Sequence, residues 1–559
     1  MSRLRQFAGP QASARAQGSA GSGAGWSLAA LAIAALAGLP IAAILFAATA
    51  GGIEAIAHLA RTVLGEYVAN TGLLMLLAGG FAALVGTGCA WLVAASEFPG
   101  RRVLGWALVL PLAVPAYIAA YIYADLLDYA GPVQSALRAA TGWGPADYAF
   151  PQIRSLGGAA LVLGLVLYPY VYLLARTAFA TQSLTQFRAA RSLGAAPARA
   201  FWRVALPAAR PAIAGGLALV LMEVLADFGV AEYFAIPTFS TGIFRSWLAM
   251  GDKAAALKLA AVMLVFVIAL VALEAATRAG RSDSRDGLAA REGAEPMVAL
   301  SPTGKALAFL ACFTPVLLGF LVPAGALGAM ALTETARAAA GDLATYARGS
   351  LWLGLATSGV CLVAALLLAF ARARSASRLT AGAIRLGTLG YALPGALLAV
   401  GLLAPLGALD QSLTRFARDS LGWSGGLLLT GTAAILVYAL SVRFLTVAYN
   451  SVSGGLSRIP PGLDSAARSL GARPARVLAR IYAPLLAPSL AGAAALVFID
   501  TVRELPATLI LRPFNLETLA TRTYRLASDE RLVEASIPAL ILLAAGLLPV
   551  LLLNRLGKR

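Results

Sequence analysis

The sequence predicts an all-helical (all-α) membrane protein, with about 12 transmembrane helices arranged as two parallel six-helix repeats. Hydrophobic residues make up 60% of the 559 residues and charged residues only 13%, whereas soluble domains average roughly half and a quarter. Twelve apolar stretches approach or exceed the roughly 20 residues that a bilayer-spanning helix needs. The second half of the chain also repeats motifs of the first half.

The twelve apolar stretches follow one another along the chain and define the predicted spans. The sixth carries Lys258 and Glu274 near its ends, where long side chains can reach the lipid headgroups. The predicted spans are Leu28–Ala48, Thr71–Ala95, Val103–Asp125, Leu156–Ala175, Pro211–Ala231, Ala254–Ala276, Ala306–Leu332, Ser350–Ala371, Leu386–Leu406, Gly425–Thr446, Leu485–Pro506 and Ala535–Leu553.

The positions of the basic residues orient this bundle in the lipid bilayer. If the N-terminus is cytoplasmic, 29 of the 44 Lys and Arg residues fall in cytoplasmic segments, as the positive-inside rule requires. An even number of spans then places both termini in the cytoplasm. The net charge of +18 is explained by this topology, and no nucleic-acid partner is needed.

Two polar, low-complexity segments divide the chain into domains. The first is rich in Gly, Ser, Ala, Gln and Arg and predicts a disordered cytoplasmic tail, and the second predicts a cytoplasmic linker. The predicted divisions are a tail at residues 1–25, a first six-helix domain at 26–277, the linker at 278–303 and a second six-helix domain at 304–559.

The two domains share a motif at an offset of 277 residues. The segment Ala190–Ala195 reads ARSLGA and recurs unchanged as Ala467–Ala472, and the same offset maps Pro207 onto Pro484. Because six spans separate equivalent points, both copies cross the membrane in the same sense. The repeat therefore predicts a pathway between two similar halves.

Symmetric charged residues indicate where this pathway runs. Glu223 and Asp227 are spaced i, i+4, and the offset of 277 leads to Asp500 and Glu504, with Arg503 beside them. On a helix, this spacing places both carboxylates on one face, and ionisable groups at membrane depth usually face a polar interior. The five residues are candidates for a substrate pathway. Structural pairing with Arg503 or with helix ends is the alternative, and no stable metal site is predicted.

The sequence offers little support for enzymatic chemistry. The three cysteines form no metal-binding spacing, and His58 is the single histidine. None of the four lysines lies in a G-x-x-x-x-G-K-[ST] phosphate-binding loop, which an ATPase of the common type would need. We therefore expect no bound cofactor and no catalytic residues.

The repeated motif resembles the coupling loop of bacterial ATP-binding-cassette importer permeases, which reads E-A-A, three residues, Gly, and then about nine residues to I-x-L-P. Arg188 and Ser465 occupy the place of the acid in this motif. The matching residues are Ala189, Ala190, Arg191, Gly194 and Pro207 in a first loop at 186–207, and Ala466, Ala467, Arg468, Gly471 and Pro484 in a second at 463–484.

Nearly the whole chain is similar to the ferric-iron importer permeases, through the signatures Glu223–Gly229 and Val502–Leu509. This resemblance implies a multi-pass protein of the bacterial inner membrane, embedded in lipid. It further implies two copies of a separate ATPase subunit that hydrolyse ATP, and a periplasmic or extracellular solute-binding protein that delivers the cargo.

The resemblance implies ferric iron as the substrate, although thiamine, phosphonate and polyamine permeases share parts of the architecture and remain alternatives. An ion-coupled secondary transporter that uses the four carboxylates is the rival class. A passive channel is disfavoured because duplicated cytoplasmic docking loops would have no purpose in it.

Overall fold

The computed structural model confirms the all-helical class over the residues that it describes. Their only β pairing is one isolated bridge between Ser96 and Val298. The described residues are 20–49, 61–180, 184–279, 298–338, 341–375, 377–422, 425–457, 459–460, 462–469, 471–472 and 474–556.

Nine helices within these ranges are long and apolar enough to cross a membrane. Each overlaps one of the twelve predicted spans. They are Gly25–Ala47, Leu64–Ala95, Leu156–Ala178, Pro197–Ala226, Lys253–Ala276, Pro302–Ala331, Leu343–Arg374, Gly395–Leu421 and Ala433–Leu456.

The remaining three predicted spans are not among these nine helices. In the third, the helices Arg101–Ala113 and Ala116–Thr141 meet at 92°. Pro115 lies at this bend with φ −58° and ψ 131°, because proline provides no N–H to continue a helix. The eleventh and twelfth correspond to the helices Ala487–Arg503 and Leu532–Leu556.

Shorter helices lie at the ends of the spans or inside them. π-helical turns occur at Phe201–Ala205, Arg245–Ala249, Leu317–Leu321 and Leu478–Tyr482, and 3-10 turns at Leu110–Ala113 and Gly390–Ala392. The short α-helices are Leu184–Ser192, Gly229–Tyr233, Phe239–Phe244, Glu334–Ala338, Arg378–Gly387, Gly462–Ser469, Pro474–Val477, Ala483–Leu485, Pro506–Leu511 and Leu519–Ser528.

The ninth and tenth spans begin later than the sequence predicts. Pro394 is the N-cap of the Gly395–Leu421 helix, so the predicted start at Leu386 belongs to the preceding short helix. The tenth helix starts at Ala433. Before it, the Asp410 carboxylate accepts hydrogen bonds from the N–H groups of residues 428 to 430 at 2.6–3.0 Å, which fixes these residues in a turn.

Parts of the predicted tail and linker lie outside the described residues, namely 1–19 and 280–297. Residues 20–25 of the predicted tail belong to the first helix, Ala20–Thr49. The helix Lys253–Ala279 ends two residues inside the predicted linker. On its far side, the next described helix begins at Pro302.

The described helices form two compact units. The smaller comprises the described parts of Met1–Leu39, Thr357–Tyr391 and Ser441–Val497, and the larger those of Pro40–Ala356, Ala392–Leu440 and Phe498–Arg559. In the larger unit, the helices Leu64–Ala95 and Leu156–Ala178 pack closely. A Cβ atom at Gly86 would lie 2.8 Å from the carbonyl oxygen of Tyr168, so this packing requires glycine.

Candidate coupling loops and helix breaks

The first candidate coupling loop contains the short helix Leu184–Ser192, which ends at a glycine in the left-handed conformation. Gly194 has φ +86°, and the N–H of Ala195 donates to the carbonyl oxygen of Ala190 at 3.1 Å. This six-residue bond is the signature of a Schellman turn, which favours glycine because positive φ strains other residues.

The second loop has the same turn. Its helix is Gly462–Ser469, Gly471 has φ +77°, and the N–H of Ala472 donates to the carbonyl oxygen of Ala467 at 3.0 Å. A Cβ atom at either glycine would meet nothing within 4 Å. Backbone conformation, and not lack of space, therefore requires both glycines.

The first loop presents a basic and apolar surface. Arg188, Ala189 and Arg191 are exposed, and Leu193 is 88% exposed. In the second loop, Ala467 is buried and Gly471 is exposed, while the side chains of Ala466 and Arg468 lie outside the described set. Pro207 and Pro484 each lie in the first turn of a following helix, where proline is tolerated.

An aromatic cluster, which we call the Trp91 cluster, attaches the first loop to the Leu64–Ala95 helix. The Trp91 ring lies 5.2 Å from Phe179, 5.1 Å from Phe187 and 4.8 Å from Phe201, between ring centroids. Phe187 belongs to the loop helix and is 1% exposed. The loop helix is therefore packed directly against a membrane span.

Sequence reasoning missed the Trp91 cluster, although three phenylalanines flank the repeated motif. The second loop uses different aromatic residues. There Phe370 lies 5.5 Å from Tyr482 and 4.7 Å from Trp26, all within the smaller unit. The motif is repeated, but its attachment to the membrane helices is not.

We expect Trp91→Ala to weaken the attachment of the first loop. Replacing a fully buried Trp by Ala costs about 3–5 kcal/mol, and half-buried Trp91 should fall near the lower end. The thermal stability of the purified protein should decrease, and if the loop couples to an ATPase as the resemblance implies, transport per ATP hydrolysed should decrease further. Trp143→Ala is the control, since Trp143 is 45% exposed and contacts Tyr148 instead. Equal effects of both substitutions would contradict this role.

Two helix breaks contain the second acid of each predicted pair. The Leu206–Ala226 helix ends before Asp227, and the Ala487–Arg503 helix ends before Glu504. We call Asp227–Phe228 the first break and Glu504–Leu505 the second break. The two acids of each predicted pair therefore do not lie within one continuous helix, since each helix ends before its second acid.

Each break is held by its carboxylate. Asp227 accepts from the N–H groups of Val230 at 3.4 Å and Ala231 at 3.0 Å. Glu504 accepts from the N–H groups of Ala507 and Thr508, both at 2.9 Å, and from the Thr508 hydroxyl at 2.7 Å. These bonds cap the short helix after each break, where the free N–H groups favour a negative charge.

The other charged candidates lie next to the breaks. Glu223 and Asp500 lie one turn earlier in their helices and are half-buried. The Arg503 guanidinium donates to the carbonyl oxygen of Leu112 at 3.0 Å, in the bent third span. Beyond the first break, burial raises the pKa of Glu232, and the nearby Arg245 guanidinium opposes that rise.

After each break, a capping box begins the second short helix that follows. Thr238 and Thr241 form a capping box at the start of the Phe239–Phe244 helix, and Thr518 and Thr521 do the same for Leu519–Ser528. Hydroxyl groups of the second and eighth spans anchor these helices. The Thr71 hydroxyl accepts from the N–H of Phe239 at 3.3 Å, and the Ser350 hydroxyl from that of Leu519 at 2.8 Å.

Sequence reasoning did not identify these two capping boxes. The Thr-x-x-Thr spacing in both halves is the signal that could have revealed the capping boxes. Within the described part of the chain, no group of three or more His, Cys, Asp or Glu side chains could hold a metal ion.

Comparison with known proteins agrees with this two-part organisation. The profile of the family described as "Binding-protein-dependent transport system inner membrane component" matches the chain twice, at residues 75–278 and 361–559. The Fe(3+)-transport system permease protein FbpB 2 of Haemophilus influenzae is 26% identical over 523 residues, which cover 92% of this chain and 95% of that protein.

Two further relatives match parts of the chain. The 2-aminoethylphosphonate transport system permease protein PhnV of Salmonella typhimurium is 32% identical over 135 residues, 24% of this chain and 51% of PhnV. The sulfate transport system permease protein CysT of Synechocystis is 26% identical over 192 residues, 34% of this chain and 64% of CysT. The chain is a multi-pass membrane protein that belongs to the family of binding-protein-dependent transport system inner membrane components.

Proposed function

We propose that this chain is the membrane permease of an ATP-binding-cassette importer and that it moves ferric iron across the bacterial inner membrane. The repeated coupling loop carries the proposal of class. Two helices at an offset of 277 residues end in the same Schellman turn, and the first presents an exposed face. The similarity to an Fe(3+) permease over 92% of the chain supports the choice of cargo.

Two loops imply two docking sites for an ATPase subunit, one for each half. The exposed Leu193 offers an apolar anchor, and the nearby arginines Arg188 and Arg191 favour an acidic groove on the partner. Both loops and both termini are cytoplasmic in this proposal. ATP is hydrolysed by the partner, a solute-binding protein delivers cargo on the opposite side, and the permease needs no bound cofactor.

The helix breaks supply the proposed pathway. Irregular backbone at membrane depth is tolerated where it is buried in protein or lines a cavity, and equivalent breaks in two repeats mark the expected substrate site. Asp227 and Glu504 shape the breaks through their hydrogen bonds. Glu223, Asp500 and Arg503 are the charged side chains that we propose to line the path beside them.

Reconstitution of the complete transporter tests this function. The permease should copurify with the ATPase encoded by a neighbouring gene. In proteoliposomes, ATP hydrolysis should increase when the matching binding protein is loaded with ferric iron, and radiolabelled iron should accumulate. Iron accumulation driven by an ion gradient without ATP would instead establish a secondary transporter. ATP-driven uptake of sulfate or a phosphonate, but not of iron, would support the ATP-binding-cassette importer class and show that ferric iron is not the cargo.

A further inference from the structure

The two halves are alike in the groups that hold the breaks but differ in the polar side chains beside them. Asp227 is matched by Glu504, whereas the same offset of 277 maps Arg503 onto Ala226. An offset of 279, which maps Pro115 onto Pro394, maps Tyr117 onto Ala396 and Tyr121 onto Val400. Groups that support the fold are needed twice, while groups that recognise an asymmetric cargo can occur once.

The side chains that occur once lie together, although they come from different halves of the sequence. Tyr117 lies against the first break, since a Cβ atom at Gly229 would be 2.5 Å from the Tyr117 Cβ. The same Cβ atom at Gly229 would lie 3.5 Å from Leu505 of the second break. Arg503 donates to the carbonyl oxygen of Leu112, five residues before Tyr117. The Tyr121 ring is 5.8 Å from the Tyr117 ring. We call this group the donor cluster; it consists of Tyr117, Tyr121 and Arg503.

Part of the hydrogen-bonding capacity of the donor cluster is unused. The Tyr117 hydroxyl and the Arg503 Nε have no hydrogen-bond partner within the described residues, and Tyr117 is only 6% exposed. Buried donors are normally paired, and leaving them unpaired is unfavourable. By contrast, the carboxylates of Asp227 and Glu504 already accept backbone hydrogen bonds.

We propose that the donor cluster contacts the cargo during passage and that the cargo presents anionic oxygen atoms to it. A guanidinium group is a hydrogen-bond donor without an acceptor, and it matches carboxylate, phosphate or sulfate oxygens. A neutral phenol donates to the same oxygens. A bare metal cation could interact with the nearby carboxylates, but it offers no acceptor atom to Arg503 or Tyr117.

This inference deepens the proposed function and rests on it. With ferric iron as cargo, the anionic oxygens belong to a ligand that crosses the membrane with the metal. Without iron, they belong to a free oxyanion. The carboxylates of Glu223 and Asp500 lie one turn before the breaks and could interact with the metal of such a complex. Of the two cargoes, we therefore favour a metal bound to its anionic ligand over a free oxyanion.

A double-label uptake experiment distinguishes these cargoes. The complete transporter, with its ATPase and binding protein, is reconstituted in proteoliposomes and supplied with ferric citrate in which iron and citrate carry different radiolabels. Parallel samples receive labelled sulfate or labelled phosphate without iron. We expect iron and citrate to accumulate together. Entry of sulfate or phosphate alone would retain this inference and refute iron as the cargo. Iron entry without any labelled anion would refute this inference and retain iron.

Variants connect the anion to the donor cluster. Arg503→Gln and Tyr117→Phe should each lower anion-linked uptake by about tenfold or more, as expected for loss of a hydrogen bond to a charged group. Arg503→Lys should restore part of the uptake. Tyr168→Phe is the matched control, because the buried Tyr168 hydroxyl also lacks a partner among described residues but lies outside the cluster.

Membrane abundance and basal ATP hydrolysis are measured for every variant, so that misfolding is recognised. Unchanged uptake by both Arg503→Gln and Tyr117→Phe at normal abundance would overturn the assignment. An equal loss in Tyr168→Phe would also overturn it, since the effect would then belong to buried phenols in general. Absence of any labelled cargo in the wild-type vesicles would refute both the iron proposal and this inference.

Discussion

Gly194→Val and Gly471→Val should each abolish transport while leaving membrane insertion intact. Both glycines have positive φ, +86° and +77°, and a left-handed backbone costs an ordinary residue about 1–2 kcal/mol, with β-branched residues affected most. Relief of this strain would open the Schellman turn and turn the end of the loop helix away from the ATPase. Since each loop is proposed to meet one ATPase, a single lesion should suffice.

The measurement is iron uptake and substrate-stimulated ATP hydrolysis in proteoliposomes, at equal amounts of inserted protein. Two matched variants isolate the backbone effect. Gly194→Asn should retain much of the activity, because Asn tolerates the left-handed region. Ala196→Val adds the same branched side chain in the same loop, but at φ −61° and ψ 147°, which suits it. Wild-type uptake by both glycine variants would contradict the docking assignment.

The sequence predicted these glycines because a Schellman turn is a local structure with a local signal. An Ala-rich and Arg-rich helix followed by Gly contains the information for its own ending. The same holds for most of the membrane spans, whose apolar runs need only a length and a composition. Pro115 and Pro394, by contrast, lie inside the predicted third and ninth spans, where the structure places a bend and a helix start.

The first helix break could not be predicted in this way, whereas Pro506, directly after the second break, is a local signal for a helix end. Glu223 and Asp227 are separated as neighbours on a helix would be, and neither Asp227 nor Phe228 is a strong helix breaker. The helix ends there because the Asp227 carboxylate binds the N–H groups of the next short helix. Such a competition between a side chain and the helix depends on tertiary packing, which periodicity does not report.

Contacts between segments that are far apart along the chain could not be predicted from the sequence either. Trp91 and Phe187 lie almost a hundred residues apart, and their ring contact follows from how the Leu64–Ala95 helix meets the loop. Arg503 was recognised as a candidate from its depth in the membrane. Its partner, the carbonyl oxygen of Leu112, is available only because the third span bends and frees that carbonyl.

The break acids should show a ranked loss of stability when they are neutralised. Glu504 is 6% exposed and accepts three hydrogen bonds of 2.7–2.9 Å, whereas Asp227 accepts two longer ones. Hydrogen bonds to a charged group contribute about 1.5–3 kcal/mol each. Glu504→Gln should therefore lower folded yield and thermal stability strongly. Asp227→Asn should do so mildly, since Asn caps helices about as well as Asp.

Uptake per folded molecule separates this holding role from direct contact with the cargo. Membrane abundance, ATP hydrolysis and radiolabelled iron uptake are measured on the same preparations of both single variants and the double variant, with Glu97→Gln as a control at an exposed position. If the acids act by shaping the breaks, uptake per molecule should follow the stability ranking, with Glu504→Gln worse than Asp227→Asn. Equal losses of uptake at normal abundance would instead show that both carboxylates contact the cargo. Unchanged uptake and abundance in the double variant would remove both acids from the pathway and from the support of the breaks, because neither role permits that result.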